Sequence, residues 1–145
     1  MKTQLRLLVG SIGILGLALA PSRASADDKV DFEKQILPIL KTKCFKCHEK
    51  EHTDDTGKLK KPKGGLVLST PEGVKKGGKE DGDKVVIAGK GADSTLVTSM
   101  ALPESDDKAM PPEGKGDRVT KADQDLIKKW IDGGADFGAW KGGAK

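Results

Sequence analysis

Two cysteines three residues apart, Cys44 and Cys47, with His48 directly after the second, constrain this 145-residue chain more than any other feature. They are its only cysteines. In a helical turn, residues i and i+3 lie on one side, so both thiols can reach the edge of one planar group while the adjoining imidazole points inward. The rest of the chain offers little large apolar material. Aromatic residues make up 3% of it, namely Phe32, Phe45, Phe137, Trp130 and Trp140 with no tyrosine. A core that must be built by burying large side chains is thinly supplied, so a bound flat apolar body is expected to complete it. The length allows one domain, at most two, and excludes a large multidomain enzyme. Basic and acidic residues number 26 and 22, a net charge of +4 that makes no case for nucleic acid.

Four chemistries accept the Cys44-Phe45-Lys46-Cys47-His48 arrangement. A Cys44–Cys47 disulfide would close so short a loop that it constrains little of the unfolded chain. A thioredoxin-like redox pair belongs at a strand-to-helix junction in a βαβ unit, whereas the residues before Cys44 read as helix. A zinc module without redox activity needs four ligands, for which the chain offers Cys44, Cys47, His48 and His52 in an unusually tight cluster. Covalent attachment of haem c needs this spacing: the two thiols add across the porphyrin vinyl groups and His48 takes one face of the iron. The last reading is favoured.

The N-terminus supports it independently, because haem c is attached outside the cytoplasm. Lys2 and Arg6 precede an apolar run from Leu7 to Ala20, broken by Pro21 and closed by Ala24-Ser25-Ala26, the small-x-small pattern that signal peptidase cuts after. Residues 1–26 are therefore expected to be a cleaved secretory signal and residues 27–145 the domain, with its core over about 31–140. As a helix the run spans roughly 21 Å, short of the ~30 Å hydrocarbon core, so no stable membrane span is expected. No cysteine follows the cut and no arginine pair precedes it, which argues against lipoprotein processing and twin-arginine export. The expected location is the periplasm or another exported compartment. Without Lys2, Arg6 and Arg23 the chain has 23 basic residues against 22 acidic ones, a net +1.

From residue 27 onward the pattern reads as short helices. Asp31 can cap the first, whose stripe is Phe32, Ile36, Ile39 and Leu40, with Pro38 kinking or restarting it. Residues 49–65 are polar but for Leu59 and read as a solvated loop. Leu66-Val67-Leu68 and Val85-Val86-Ile87 read as short extended strips. Ser69 or Thr70 can cap a brief helix over 71–76 that Gly77-Gly78 ends, and Asp93 or Ser94 can cap one carrying Leu96, Val97 and Met100. Residues 102–117 are loop. The clearest helix is last: Thr120 with Asp123 forms a cap, Leu126, Ile127, Trp130 and Ile131 form the stripe, and Gly133-Gly134 stops it. Trp130 and Ile131 are expected to pack near Phe32 and Ile36.

From Phe32 to Trp140 the chain resembles a class I c-type cytochrome, and most closely the cytochrome c domain of planctomycetes. The matching words are Ile36-Leu37-Pro38-Ile39-Leu40 before Cys44-x-x-Cys47-His48, then Gly64-Gly65-Leu66, Ser94-Thr95-Leu96, Met110-Pro111-Pro112, and Trp130-Ile131-Asp132-Gly133-Gly134-Ala135. The stretch between His48 and Gly64 departs from the pattern, being long and lysine-rich. The resemblance implies an all-α fold of three to five helices, with glycine-rich loops around one covalent haem, and a one-electron carrier rather than an enzyme. It also implies that the haem iron is held by His48 and a methionine. Met110, in a loop stiffened by the prolines after it, is the expected partner. Met100 sits on a helical stripe and reads as core, and His52 reads as an exposed loop residue. A carbonyl from Lys61-Pro62-Lys63 is the expected acceptor for the far ring nitrogen of His48. An open sixth position, giving a five-coordinate gas sensor or a peroxidase-like enzyme, is the alternative.

Charge is unevenly spread. From Lys41 to Lys63 eight lysines meet Glu49, Glu51, Asp54 and Asp55, a local +4 beside the cysteine turn. This is either a solvated loop or a docking patch that steers acidic redox partner proteins to the haem edge. Phe45 is expected to be partly exposed at that edge.

Overall fold

The computed structural model describes residues 29–143, so the signal-peptide reading of residues 1–26 lies outside the described residues. The backbone is mostly helical, with α1 (Leu37–Lys43), α2 (Phe45–His48), α3 (Pro71–Lys76), α4 (Thr95–Ala101) and α5 (Lys121–Asp132). A π-helical turn, Phe32–Ile36, leads into α1. Asp31 caps that turn: its carboxylate accepts from the Lys34 N–H at 3.1 Å, and its own N–H donates to Gln35 Oε1 at 2.8 Å. Pro38 has no N–H to give. The chain widens the preceding turn, the Leu37 N–H donating to the Phe32 carbonyl, and Pro38 then falls in the first turn of α1. The wider turn also shifts the stripe, so that Phe32, Ile36, Leu37 and Leu40 are buried while Ile39 is only partly so.

The long terminal helix closes on this segment. Thr120 caps α5, its hydroxyl accepting from the Asp123 N–H at 3.2 Å and donating to the Asp123 carboxylate at 2.8 Å. Ile127, Trp130 and Ile131 are buried. The Phe32 ring centre lies 5.1 Å from that of Trp130, 5.0 Å from Phe137 and 4.8 Å from Trp140. Trp130 Nε1 donates to the Asp136 carbonyl at 2.8 Å. Four of the five aromatic residues thus form one cluster from positions far apart in sequence. The chain meets its aromatic scarcity by concentration, and this part of the core needs no bound group to fill it.

Two sequence expectations fail between the helices. The 49–65 stretch contains a hairpin, with β1 (His52–Thr53) antiparallel to β2 (Leu59–Lys60) and His52 opposite Lys60, so the fold is not purely helical. Its strands are exposed on both faces, which leaves no apolar alternation to read. What makes it is turn chemistry: the Asp54 carboxylate accepts from the Thr56 N–H at 3.0 Å, the Thr56 hydroxyl at 2.6 Å and the Lys58 N–H at 3.0 Å. Residues 85–87 bend and join no strand, rather than forming an extended strip. Their backbone groups bind the start of α4 instead, the Leu96 N–H donating to the Val85 carbonyl at 3.0 Å and the Ile87 N–H to Ser94 Oγ at 2.9 Å. Ser94 stands at the N-cap of α4, yet its hydroxyl serves this loop and not the helix.

The α3 boundaries match the expectation, with Thr70 Oγ1 accepting from the Gly73 N–H at 3.0 Å. Gly77 ends the helix at φ 72°, where a Cβ would lie 1.6 Å from the Gly82 carbonyl oxygen. Glycine is required there on both counts.

Candidate functional site

The cysteine turn hangs from the end of α1. The Cys44 N–H donates to the Leu40 carbonyl at 2.8 Å, and the N–H groups of Cys47 and His48 both donate to the Cys44 carbonyl, at 3.1 and 3.0 Å. Phe45, the residue between the cysteines expected at an exposed edge, is instead 5% exposed and joins the core. Packing a ring inward is the stronger effect, and it anchors the single turn of α2. Two further bonds stitch this turn to the segment before α3: the Leu68 N–H donates to the His48 carbonyl at 2.7 Å, and the Lys50 N–H to Ser69 Oγ at 2.8 Å.

Cys44, Cys47 and His48 share the wall of a cavity of about 460 Å³ with Leu68, Met100 and Met110. That volume lies within the roughly 300–1,000 Å³ of small-molecule and cofactor sites. The aromatic cluster contributes nothing to the wall. Both cysteines are free thiols, contrary to a disulfide. Burial, followed by the neighbouring Cys47, pushes the Cys44 thiol up to about 12, so it stays protonated. Burial also lowers the pKa of His48, against the opposing pull of the Leu66 and Lys63 backbone, and this favours the neutral imidazole that binds metal.

Met110 reaches the cavity from the loop after α4. Its N–H donates to the Ser99 carbonyl at 3.0 Å, and the next peptide bond, Met110–Pro111, is cis. Met100, by contrast, is a core residue at 2% exposure within α4, although it also touches the cavity. His52 is on the exposed hairpin, its Nδ1 3.0 Å from the Lys50 carbonyl oxygen, and does not line the cavity. Among the described residues no three His, Cys, Asp or Glu side chains come together as a cage for a metal ion. The four proposed zinc ligands are therefore not assembled.

The donor set fits haem c: two free thiols, a neutral imidazole and a thioether around one largely apolar space. His48 Nδ1 is buried with no partner in hydrogen-bonding geometry. An imidazole that binds iron through Nε2 carries its proton on Nδ1, and the backbone of Leu66 and Lys63 lies near the ring. Neither Lys63, of the expected stretch, nor Leu66 is in hydrogen-bonding geometry with Nδ1.

Sequence reasoning passed over Arg118, which binds the backbone behind the Met110 loop. The available signal was rarity: it is the only arginine in residues 27–145, among 22 lysines.

The described residues form a mostly helical domain with an unpaired C-x-x-C-H turn on the wall of a cofactor-sized cavity. Residues 44–114 match the family model of the planctomycete cytochrome C, from the first cysteine through the Met110 loop, so the chain carries a cytochrome c-like domain. Such a domain implies binding of haem c and electron transfer. The matched stretch is narrower than the 32–140 over which the sequence resembles the family, and α5 lies beyond it. No curated protein and no solved structure matches the chain. Among the described residues no helix is long and apolar enough to cross a membrane.

Proposed function

We propose that this chain is a class I c-type cytochrome that carries single electrons outside the cytoplasm. Cys44 and Cys47 hold one haem c through thioether bonds, and His48 and Met110 are the axial ligands of its iron. The observation that carries this reading is the convergence of these four side chains on one cavity of about 460 Å³. When bound, the haem supplies a reversible one-electron change at its iron. The protein positions its donors: α2 aims His48, which burial keeps neutral, and the anchored loop presents the Met110 sulfur. A thioether opposite an imidazole favours the reduced iron relative to two imidazoles and so raises the potential. With both axial positions taken, no site remains for a substrate, which favours a carrier over an enzyme. Residues 1–26 serve as the export signal, cleaved after Ala26, and residues 27–145 are the domain.

The lysines between 41 and 63 form the docking surface for acidic redox partners. Part of their charge is met locally, with Lys60 3.2 Å from Asp54, Lys61 3.7 Å from Glu51 and Lys43 3.5 Å from Asp117. Lys46, exposed at the cavity wall, is the member best placed for steering.

The reading is tested by maturing the full chain in a host that attaches haem c and recording reduced spectra with and without carbon monoxide. A six-coordinate carrier leaves the spectrum almost unchanged by the gas. Ready gas binding supports the five-coordinate sensor or peroxidase-like enzyme, and haem extracted by acidified acetone would rule out the covalent link.

A further inference from the structure

Three groups of hydrogen bonds converge behind the Met110 loop. Arg118 Nη1 donates to the Pro111 carbonyl at 3.0 Å, and its Nη2 donates to the Met100 carbonyl at 2.8 Å and the Leu102 carbonyl at 2.7 Å. Gln124 Nε2, on α5, donates to the same Met100 carbonyl at 3.1 Å and to the Val119 carbonyl at 2.9 Å. The Met110 N–H donates to the Ser99 carbonyl at 3.0 Å. The backbone is therefore held on both sides of the Met110 side chain, by its own N–H and by the carbonyl of the next residue. Both anchors lead to the end of α4.

We infer that Arg118 is the positioning residue that holds Met110 toward the haem iron, a proposal that rests on Met110 being the axial ligand. Arginine suits the task because its planar guanidinium offers donors in fixed, divergent directions, whereas a lysine ammonium is a single point. Here one nitrogen takes the loop and the other takes two carbonyls at the end of α4, so the loop and the helix are clasped by one rigid group. The carbonyls at a helix C-terminus also carry partial negative charge, which a cation complements. Buried or half-buried carbonyls left without a donor cost the fold, so the clasp has a structural reason to stay shut. A methionine on a loop is otherwise an adaptable ligand with three rotatable bonds. Fixing its backbone removes the part of that freedom that would let the sulfur leave the iron. Arg118 and Gln124 lie outside the stretch that matches the family model.

The test is an exogenous-ligand competition on the haem-loaded protein. Imidazole is titrated into the ferric wild type, Arg118→Met, Arg118→Lys, Met110→Ala and the Arg118→Met/Met110→Ala double variant. The near-infrared thioether-to-iron band and the reduction potential are followed alongside. Arg118→Met keeps most of the side-chain stem and removes the clasp. It should bind imidazole at least tenfold more tightly than wild type, with a weakened band and a lowered potential. Arg118→Lys should fall between. In the Met110→Ala background the Arg118→Met change should have no further effect on imidazole affinity. If Arg118→Met binds imidazole like wild type while Met110→Ala loses the band, the clasp is overturned and the ligand assignment stands. If Met110→Ala itself keeps the band, the ligand assignment fails instead, and the clasp with it. Loss of helicity in both Arg118 variants would make the residue a support of the fold alone and overturn the positioning role.

Discussion

Replacing Phe32 by alanine tests whether the chain has a core of its own beside the haem cavity. Phe32 is 2% exposed, and its ring centre lies 4.8–5.1 Å from those of Trp130, Phe137 and Trp140. Truncation empties the middle of that cluster, and a buried Phe→Ala change costs about 3–5 kcal/mol. The neighbours are large rings fixed by one another and, for Trp130, by its bond to the Asp136 carbonyl, so little collapse is expected and the upper half of the range applies. For a domain of this size each kcal/mol lowers Tm by roughly 4 °C, which puts the fall at roughly 16–20 °C. None of the four rings lines the cavity, so the haem spectrum at 25 °C should match wild type. The assay is a thermal melt followed by far-ultraviolet circular dichroism, with absorption spectra on the same samples. A fall of less than about 4 °C would mean the cluster is not a core. A changed haem spectrum in a still-folded variant would mean the two halves are not independent.

Gly77→Ala places a methyl group 1.6 Å from the Gly82 carbonyl oxygen at φ 72°; urea unfolding should show a loss of more than ~1 kcal/mol, and an unchanged midpoint contradicts the packing described. The partly buried Asp54 carboxyl is held well below the usual carboxylate range by the Thr56 hydroxyl first and the Lys58 N–H next. A depressed folded pKa contributes stability above the unfolded value, near ~3.9, and loses it as pH falls toward the folded one. The Thr56 and Lys58 amides should therefore stay protected from exchange at pH 4 and lose protection only below it; early loss, or protection unchanged in Asp54→Ala, sinks the turn account. Changing Lys46, Lys58 and Lys63 together to Gln should slow electron exchange with an acidic partner at low salt. The gap should close past roughly 0.2 M, where the Debye length is below about 8 Å, and equal rates at low salt return these lysines to a solvated surface.

What could be read from the sequence was local chemistry. Cys44, Cys47 and His48 announce themselves because haem attachment demands their spacing, and Thr120 with the Leu126 to Ile131 stripe announces α5 because cap and period agree. Met110 was singled out through the prolines that follow it, and the structure places it on the cavity wall. What depends on long-range placement was not. Phe32, Trp130, Phe137 and Trp140 look like scattered aromatics until α5 brings them together. Phe45 gave no sign of whether its ring would face solvent or core. The hairpin is made by the hydrogen bonds of Asp54 on two exposed strands, so hydrophobic period says nothing about it. Val85-Val86-Ile87 has strand composition, but no partner strand meets it and its backbone is taken by the start of α4. Arg118 acts through carbonyls from three separate positions, which no motif encodes.

The central claim is that Met110, and not Met100, completes the coordination opposite His48. It is tested most directly by the near-infrared thioether-to-iron band of the ferric protein. Wild type should show the band and Met110→Ala should lose it, with haem still covalently bound through Cys44 and Cys47. Met100→Ala should keep the band while losing about 2–5 kcal/mol of stability, as expected for a fully buried methionine. A wild type without the band, or a band that disappears in Met100→Ala and survives in Met110→Ala, contradicts the account.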